Sequence, residues 1–142
     1  MLLVGVGGFF GAAARGAVAE AVPALDGFAV ATFAVNVSGA FLLGVLLEAL
    51  VRAGEDVGGR RRARLVLGTG FIGSYTTYST FALESALALG RAHWVLATAY
   101  VVLSLLAGLF AVAAGIAVAA GRHPVRERRP TPRDVPEEAA GR

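Results

Sequence analysis

The 142-residue sequence has no cysteine, no lysine, only two histidines and little charge of either sign. Without cysteine there is no thiolate nucleophile, no disulfide and no thiolate-held metal, and disulfides give no clue to the compartment. His93 stands near a helix start and His123 in a polar tail, so a zinc site or a catalytic triad lacks its materials and no enzymatic centre is expected. Charged residues make up 16% of the chain, against roughly 25% in soluble domains. What fills the space is apolar: 56% of residues are hydrophobic and the mean hydropathy is +0.68. The length confines the chain to one domain. A pI of about 10.2 would suit a nucleic-acid binder, but the basic residues are all arginine and lie mostly beside apolar segments. There they read as topology signals, and no nucleic-acid partner is expected.

Four stretches are long enough to cross a bilayer, which takes about 20 apolar residues: 2–22, 28–51, 65–89 and 94–120. The links between them are short, at 23–27, 52–64 and 90–93. The expected fold is therefore an all-α, multi-pass membrane protein of four transmembrane helices over residues 1–121, sitting in the cell membrane and contacting lipid. Residues 122–142 carry Arg, Pro and Glu with few apolar residues and are expected to form a disordered basic tail. The first segment lacks a basic leader and exceeds a signal-peptide core in length, so it is expected to stay uncleaved. Gly7 with Gly11, Ala40 with Gly44 and Ala107 with Ala111 have the four-residue spacing that lets membrane helices approach closely. The run GVGGFFG at 5–11 has the wrong glycine spacing for a dinucleotide loop.

The third stretch is the most informative. Its middle third reads Gly73-Ser74-Tyr75-Thr76-Thr77-Tyr78-Ser79-Thr80. Hydroxyls that deep must be satisfied without bulk water, at several kcal/mol per unpaired group. Gly and β-branched Thr are also weak helix formers. The stretch is expected to be a helix broken near the midplane, where freed backbone groups can hold ions.

Other polar residues fall within the apolar stretches. Arg15 lies about 20 Å along the first helix at ~1.5 Å per residue, where it either snorkels as an anchor or lends positive potential to an anion-gathering vestibule. Asn36 sits in the middle of the second stretch, as interhelical glue or as a donor to a dehydrated anion. If helicity resumes after the break, Thr77, Thr80 and Glu84 share one face, and Tyr78 and Phe81 an adjacent one. Aromatic edges are positive, so two rings turned edge-on can accompany a small anion. Tyr100 and Ser104, spaced i, i+4, put two hydroxyls on one face of the last helix. This inventory of hydroxyl, amide and ring-edge donors favours a small, hard anion that accepts hydrogen bonds strongly. A cation path would want carboxylates or carbonyl rings throughout.

The residues then resemble a known family, the fluoride channels called Fluc or CrcB. The matching patterns are Gly8-x-x-Gly11-Ala12-x-x-Arg15, Asn36-Val37-x-Gly39 and GTGFIGSYTTYSTF at 68–81, in the family's order on a chain of the family's length. The resemblance implies an antiparallel dimer with two fluoride pores and a central structural sodium ion, held by backbone carbonyls at Gly73 and Thr76. It implies that Asn36 is the pore asparagine, that Tyr78 and Phe81 fill the two positions of the phenylalanine box, and that Tyr100 and Ser104 form a polar track. With Thr77, Ser79, Thr80 and Glu84 these make up the expected fluoride path, and Arg15 its vestibule. Position 78 is Tyr where the family typically has Phe, and Ser74 stands where a second Gly is common.

The implied function is passive fluoride export that relieves fluoride toxicity. The rival is a small multidrug-type antiporter, also a four-helix antiparallel dimer. It needs a membrane-embedded carboxylate in the first helix, where this chain has Arg15. Charge bias bears on the partner. Arg52, Arg60, Arg61, Arg62 and Arg64 flank one side in a short loop, and Arg91 alone marks the other. The positive-inside rule then gives one orientation with both termini cytoplasmic. The antiparallel dimer would be a heterodimer with an oppositely oriented paralogue, or a homodimer if the bias is tolerated.

Overall fold

The computed structural model describes residues 1–23, 25 and 28–122. The described chain is helical, with one isolated antiparallel bridge between Leu25 and Phe28. The elements are α1 (Leu2–Ala21), α2 (Val30–Ala53), the short α3 (Gly58–Ala63), a π-helical stretch (Arg64–Ile72), the single turn α4 (Gly73–Tyr75), α5 (Tyr78–Gly90) and α6 (Trp94–Arg122). Arg122, expected to open the tail, is instead the last residue of α6, and the rest of the tail, from His123 onward, lies outside the described residues.

Local chemistry explains the boundaries. α1 ends where Val22 turns extended, as a residue before proline must. α2 stops at Gly54, whose φ of +113° suits a residue with no Cβ. α5 closes in a Schellman arrangement: the His93 amide donates to the Ala88 carbonyl (3.0 Å) and the Ala92 amide to that of Leu89 (3.0 Å). Ala92 takes φ +61° there, a position where glycine is usual.

Among the described residues three helices are long and apolar enough to cross a membrane: Leu2–Ala21, Val30–Ala53 and Trp94–Gly121. Their large side chains face outward. Phe9, Phe10, Leu105, Leu109 and Phe110 are each more than half exposed, while Val35, Ile72, Ala97, Tyr100 and Ala119 are the buried apolar residues. A surface of that kind suits hydrocarbon as its solvent, because helices satisfy their own backbone groups there. The chain is membrane-embedded and multi-pass.

The stretch expected as a third span, 65–89, is not one continuous helix. Its first part is π-helical, Thr76 (φ −77°, ψ 158°) and Thr77 (φ −146°, ψ 122°) are extended, and the α-helix that follows has 13 residues. At ~1.5 Å per residue that is about 20 Å, short of a hydrocarbon core of about 30 Å.

Contact between elements is set by glycine. A Cβ on Gly7 or Gly11 would overlap the carbonyls of Val66 or Phe71, and one on Gly70 would lie 2.7 Å from the Val4 carbonyl, so α1 and the π-helical stretch meet backbone to backbone. Gly44 and Gly115 play the same part between α2 and α6, against the carbonyls of Val112 and Phe41. Of the small-residue pairs read from spacing, Gly7/Gly11 lies at a helix contact. Ala40/Gly44 contributes through Gly44, and Gly115 closes the α2–α6 contact from the other side.

Candidate functional site

The interruption at Thr76–Thr77 is held from α2. Asn36 Nδ2 donates to the Thr77 carbonyl (3.0 Å), and the Thr77 amide donates to Asn36 Oδ1 (2.8 Å). One side-chain amide thus takes up both backbone groups of a residue 41 positions away. The diversion has a consequence for Gly73. In an α-helix the Thr77 amide would donate to the Gly73 carbonyl; here it goes to Asn36, and that carbonyl loses its helical partner.

Helicity restarts because Thr77 is a good N-cap. Its Oγ1 accepts from the Thr80 amide (3.2 Å) and donates to Thr80 Oγ1 (3.0 Å), with Ser79 Oγ 3.3 Å away. Thr76 Oγ1 and the Thr76 amide both donate to the Ile72 carbonyl, each at 3.0 Å. Gly39, in the Asn36-x-x-Gly39 pattern, has no Cβ because the Thr76 methyl occupies that space.

On one side of the Asn36–Thr77 junction lies a cleft of about 300 Å³ lined by Asn36, Thr76, Thr77, Tyr78, Phe81, Ser104 and Leu105. The rings of Tyr78 and Phe81 are 6.3 Å apart and tilted by 42°, and Tyr78 is 81% exposed on the single chain. Ser104 Oγ is buried here with no hydrogen-bond partner. An orphaned hydroxyl beside a donor-lined cleft is what a small anion would satisfy.

On the other side lie Thr80, Glu84 and Arg15. Glu84 bridges three helices: Thr32 Oγ1 donates to Oε1 (2.9 Å) and Tyr100 OH to Oε2 (2.9 Å). The Tyr100 ring packs on Phe81 (5.3 Å) and meets Phe28 edge to face (5.0 Å, 89°). Arg15 lines a small cavity of about 130 Å³ with Thr32, Val35, Thr77 and Thr80.

The expected residues therefore divide. Asn36, Thr77, Tyr78, Phe81 and Ser104 line the cleft, Thr80 and Arg15 line the small cavity that Thr77 also reaches, Glu84 lines a third cavity with Thr80, and Ser79 touches the site through Thr77. Tyr100 connects the two halves through its hydroxyl and its ring. Thr32 was missed from the sequence, although it lies four residues before Asn36 on the same helical face. Farther out, Asp56 pairs with Arg64 (2.7 Å) and raises its pKa by hydrogen bond and charge, and Arg52 pairs with Glu48. Among the described residues no group of three His, Asp or Glu is placed to hold a metal.

The family pattern described as "CrcB-like protein, Camphor Resistance (CrcB)" matches residues 2–116. The chain is 52% identical over 85 residues to fluoride-specific ion channel FluC 2 of Leifsonia xyli subsp. xyli, covering 60% of this chain and 59% of that one. It is 42% identical over 121 residues to fluoride-specific ion channel FluC 1 of Cutibacterium acnes, covering 84% and 83%. It is 41% identical over 120 residues to fluoride-specific ion channel FluC of Chlorobium luteolum, covering 84% and 91%.

Proposed function

Because this chain belongs to the CrcB-like protein family, we propose that it is a fluoride-selective channel that lets fluoride leave the cell passively and so relieves fluoride toxicity. It is a membrane protein of a channel family, not an enzyme. The observation that carries the reading is the donor-lined cleft, where the unpartnered Ser104 hydroxyl faces the same space as Asn36 and the Tyr78 and Phe81 rings. Hydrogen fluoride crosses membranes as a neutral acid and releases fluoride in a near-neutral cytosol. A negative-inside potential, worth ~2.3 kcal/mol per charge per 100 mV, then drives the anion outward, so a selective pore suffices. In the narrow path only a strong acceptor recovers its dehydration cost. Proteoliposomes are expected to release fluoride and retain chloride; chloride efflux at a comparable rate would rule out the selectivity.

We further infer a structural sodium ion held by the carbonyls of Gly73 and Thr76. The fit rests on the diverted Thr77 amide, which strips the Gly73 carbonyl of its helical donor, and on the extended backbone at Thr76. A bound sodium would supply fixed positive charge without a carboxylate, as hard cations take oxygen ligands. In the same reading the stretch 65–89 crosses the membrane as a fourth, broken span, and two chains pair antiparallel. The exposed Tyr78 ring supports such a partner.

Five arginines in or beside the α2–α3 loop against Arg91 on the opposite turn favour a fixed orientation, hence a heterodimer with an oppositely oriented paralogue over a homodimer. Cysteines placed at Arg62 and Arg91 are expected to label from opposite sides of the cell membrane, Arg91 from outside. Equal labelling of both from outside would mean dual topology and a homodimer.

A further inference from the structure

The cavity that holds Glu84, about 640 Å³, opens at the turn between α5 and α6, and its rim carries Arg91 and His93. α5 turns a single stripe toward it: Thr80, Glu84, Leu87 and Arg91 follow at i, i+4, i+7 and i+11, a rise of about 16 Å at ~1.5 Å per residue. α1 supplies the facing wall, with Ala19 and Val22 in this cavity and Arg15, Gly16 and Ala19 in the smaller one. Ala19, Ala31, Thr32 and Thr80 line both. The two cavities therefore adjoin, with Arg91 lining one, Arg15 lining the other and Thr32 and Thr80 shared between them.

Its charge favours anions. Among the described lining residues two arginines stand against one carboxylate, and both Glu84 oxygens already accept hydrogen bonds from Thr32 and Tyr100. The ion pairs among the described residues are Arg52–Glu48 and Arg64–Asp56, so neither Arg15 nor Arg91 is neutralised in one. Arg91 is also held at the rim by backbone hydrogen bonding, since its amide donates to the Leu87 carbonyl (3.1 Å) and the next two amides close the turn behind it. Apolar walls around a like-signed mouth focus the field and raise the local concentration of counter-ions.

We propose that Arg91 is the anion-focusing residue of this passage, raising the local fluoride concentration at the α5–α6 turn, its outer mouth in the orientation inferred above, from which Thr80 and Arg15 line the way to the Asn36–Thr77 junction. The proposal rests on the channel reading above. It differs from a structural role for Arg91 in one respect: capture by a fixed charge is screened by salt, and packing is not.

The test is initial fluoride efflux from proteoliposomes of the conducting assembly, carrying Arg91→Gln or Arg91→Lys, with an impermeant anion setting the ionic strength. At about 0.01 M the Debye length is about 30 Å, and at about 1 M it is about 3 Å. Arg91→Gln is expected to slow efflux several-fold at the lower ionic strength, toward the ~10-fold lower end of electrostatic focusing effects, and to match the unsubstituted assembly at the higher one. Arg91→Lys is expected to restore the low-salt rate. A Gln variant as fast as the unsubstituted assembly at low ionic strength overturns the proposal. So does a deficit that persists in high salt or that lysine does not rescue. If the unsubstituted assembly releases no fluoride, the channel reading falls and this inference with it; if it conducts and only the Arg91 pattern fails, the channel reading stands.

Discussion

Asn36→Asp is expected to bring fluoride efflux from proteoliposomes down to the leak of protein-free vesicles while the assembled protein keeps its elution volume. Asn36 donates to the Thr77 carbonyl and accepts from the Thr77 amide. Aspartate keeps the acceptor half of that clip but turns a second acceptor toward the carbonyl, so one hydrogen bond becomes a repulsion. It also places a negative charge on the wall of the cleft that Asn36 shares with Phe81 and Ser104. At 4 Å and an effective dielectric of 20, repulsion between two unit charges is about 4 kcal/mol, close to a thousandfold in anion occupancy at ~1.4 kcal/mol per factor of ten. The retained amide bond keeps the two helices joined, which is why transport should fail before assembly does. Efflux at the unsubstituted rate, read with a fluoride electrode, would show that Asn36 only clips the backbone and that the anion passes elsewhere.

That dual position of Asn36 shows where sequence reading reaches and where it stops. Three spans are legible because run length alone encodes them: about 20 apolar residues leave few alternatives. The polar run at 73–80 marks a place where a membrane helix is under strain, yet the departure from helical backbone is confined to Thr76 and Thr77, and Gly73–Tyr75 stay helical. The reason lies 41 residues away, in the side chain that captures Thr77, and no local propensity carries that information. The π-helical geometry of Arg64–Ile72 is likewise invisible in composition, since it accompanies the backbone contact with α1. Periodicity put Thr77, Thr80 and Glu84 on one face. It gave no sign that Glu84 would be claimed from two other helices by Thr32 and Tyr100, because the partners of a buried carboxylate are set by packing between helices.

Gly11→Ala carries the largest expected effect on folding. Gly11 and Gly7 sit one turn apart on the face of α1 that meets the π-helical stretch, and a methyl on either would fall closer than 3.0 Å to a backbone carbonyl oxygen, where ordinary contact is 3.4–4 Å. The obstructing atoms belong to the Phe71 and Val66 backbones, so no rotamer change relieves them and the two helices must part. Overpacking of this kind costs about 1–3 kcal/mol, and a backbone neighbour places it at the upper end, roughly a hundredfold in the folded-to-unfolded ratio at ~1.4 kcal/mol per factor of ten. Gly16→Ala is the internal control. It lies on the same helix with nothing within 4 Å of the added methyl, and alanine is the better helix former by about 1 kcal/mol in water. Thermal unfolding in detergent should therefore show Gly11→Ala well below the unsubstituted protein and Gly16→Ala at or above it. Fluoride efflux should fall with the first variant, because Arg15 stands one turn beyond Gly11 and moves with α1. If the two variants unfold together, α1 does not seat its backbone against the π-helical stretch, and the vestibule proposed at Arg15 must be placed differently.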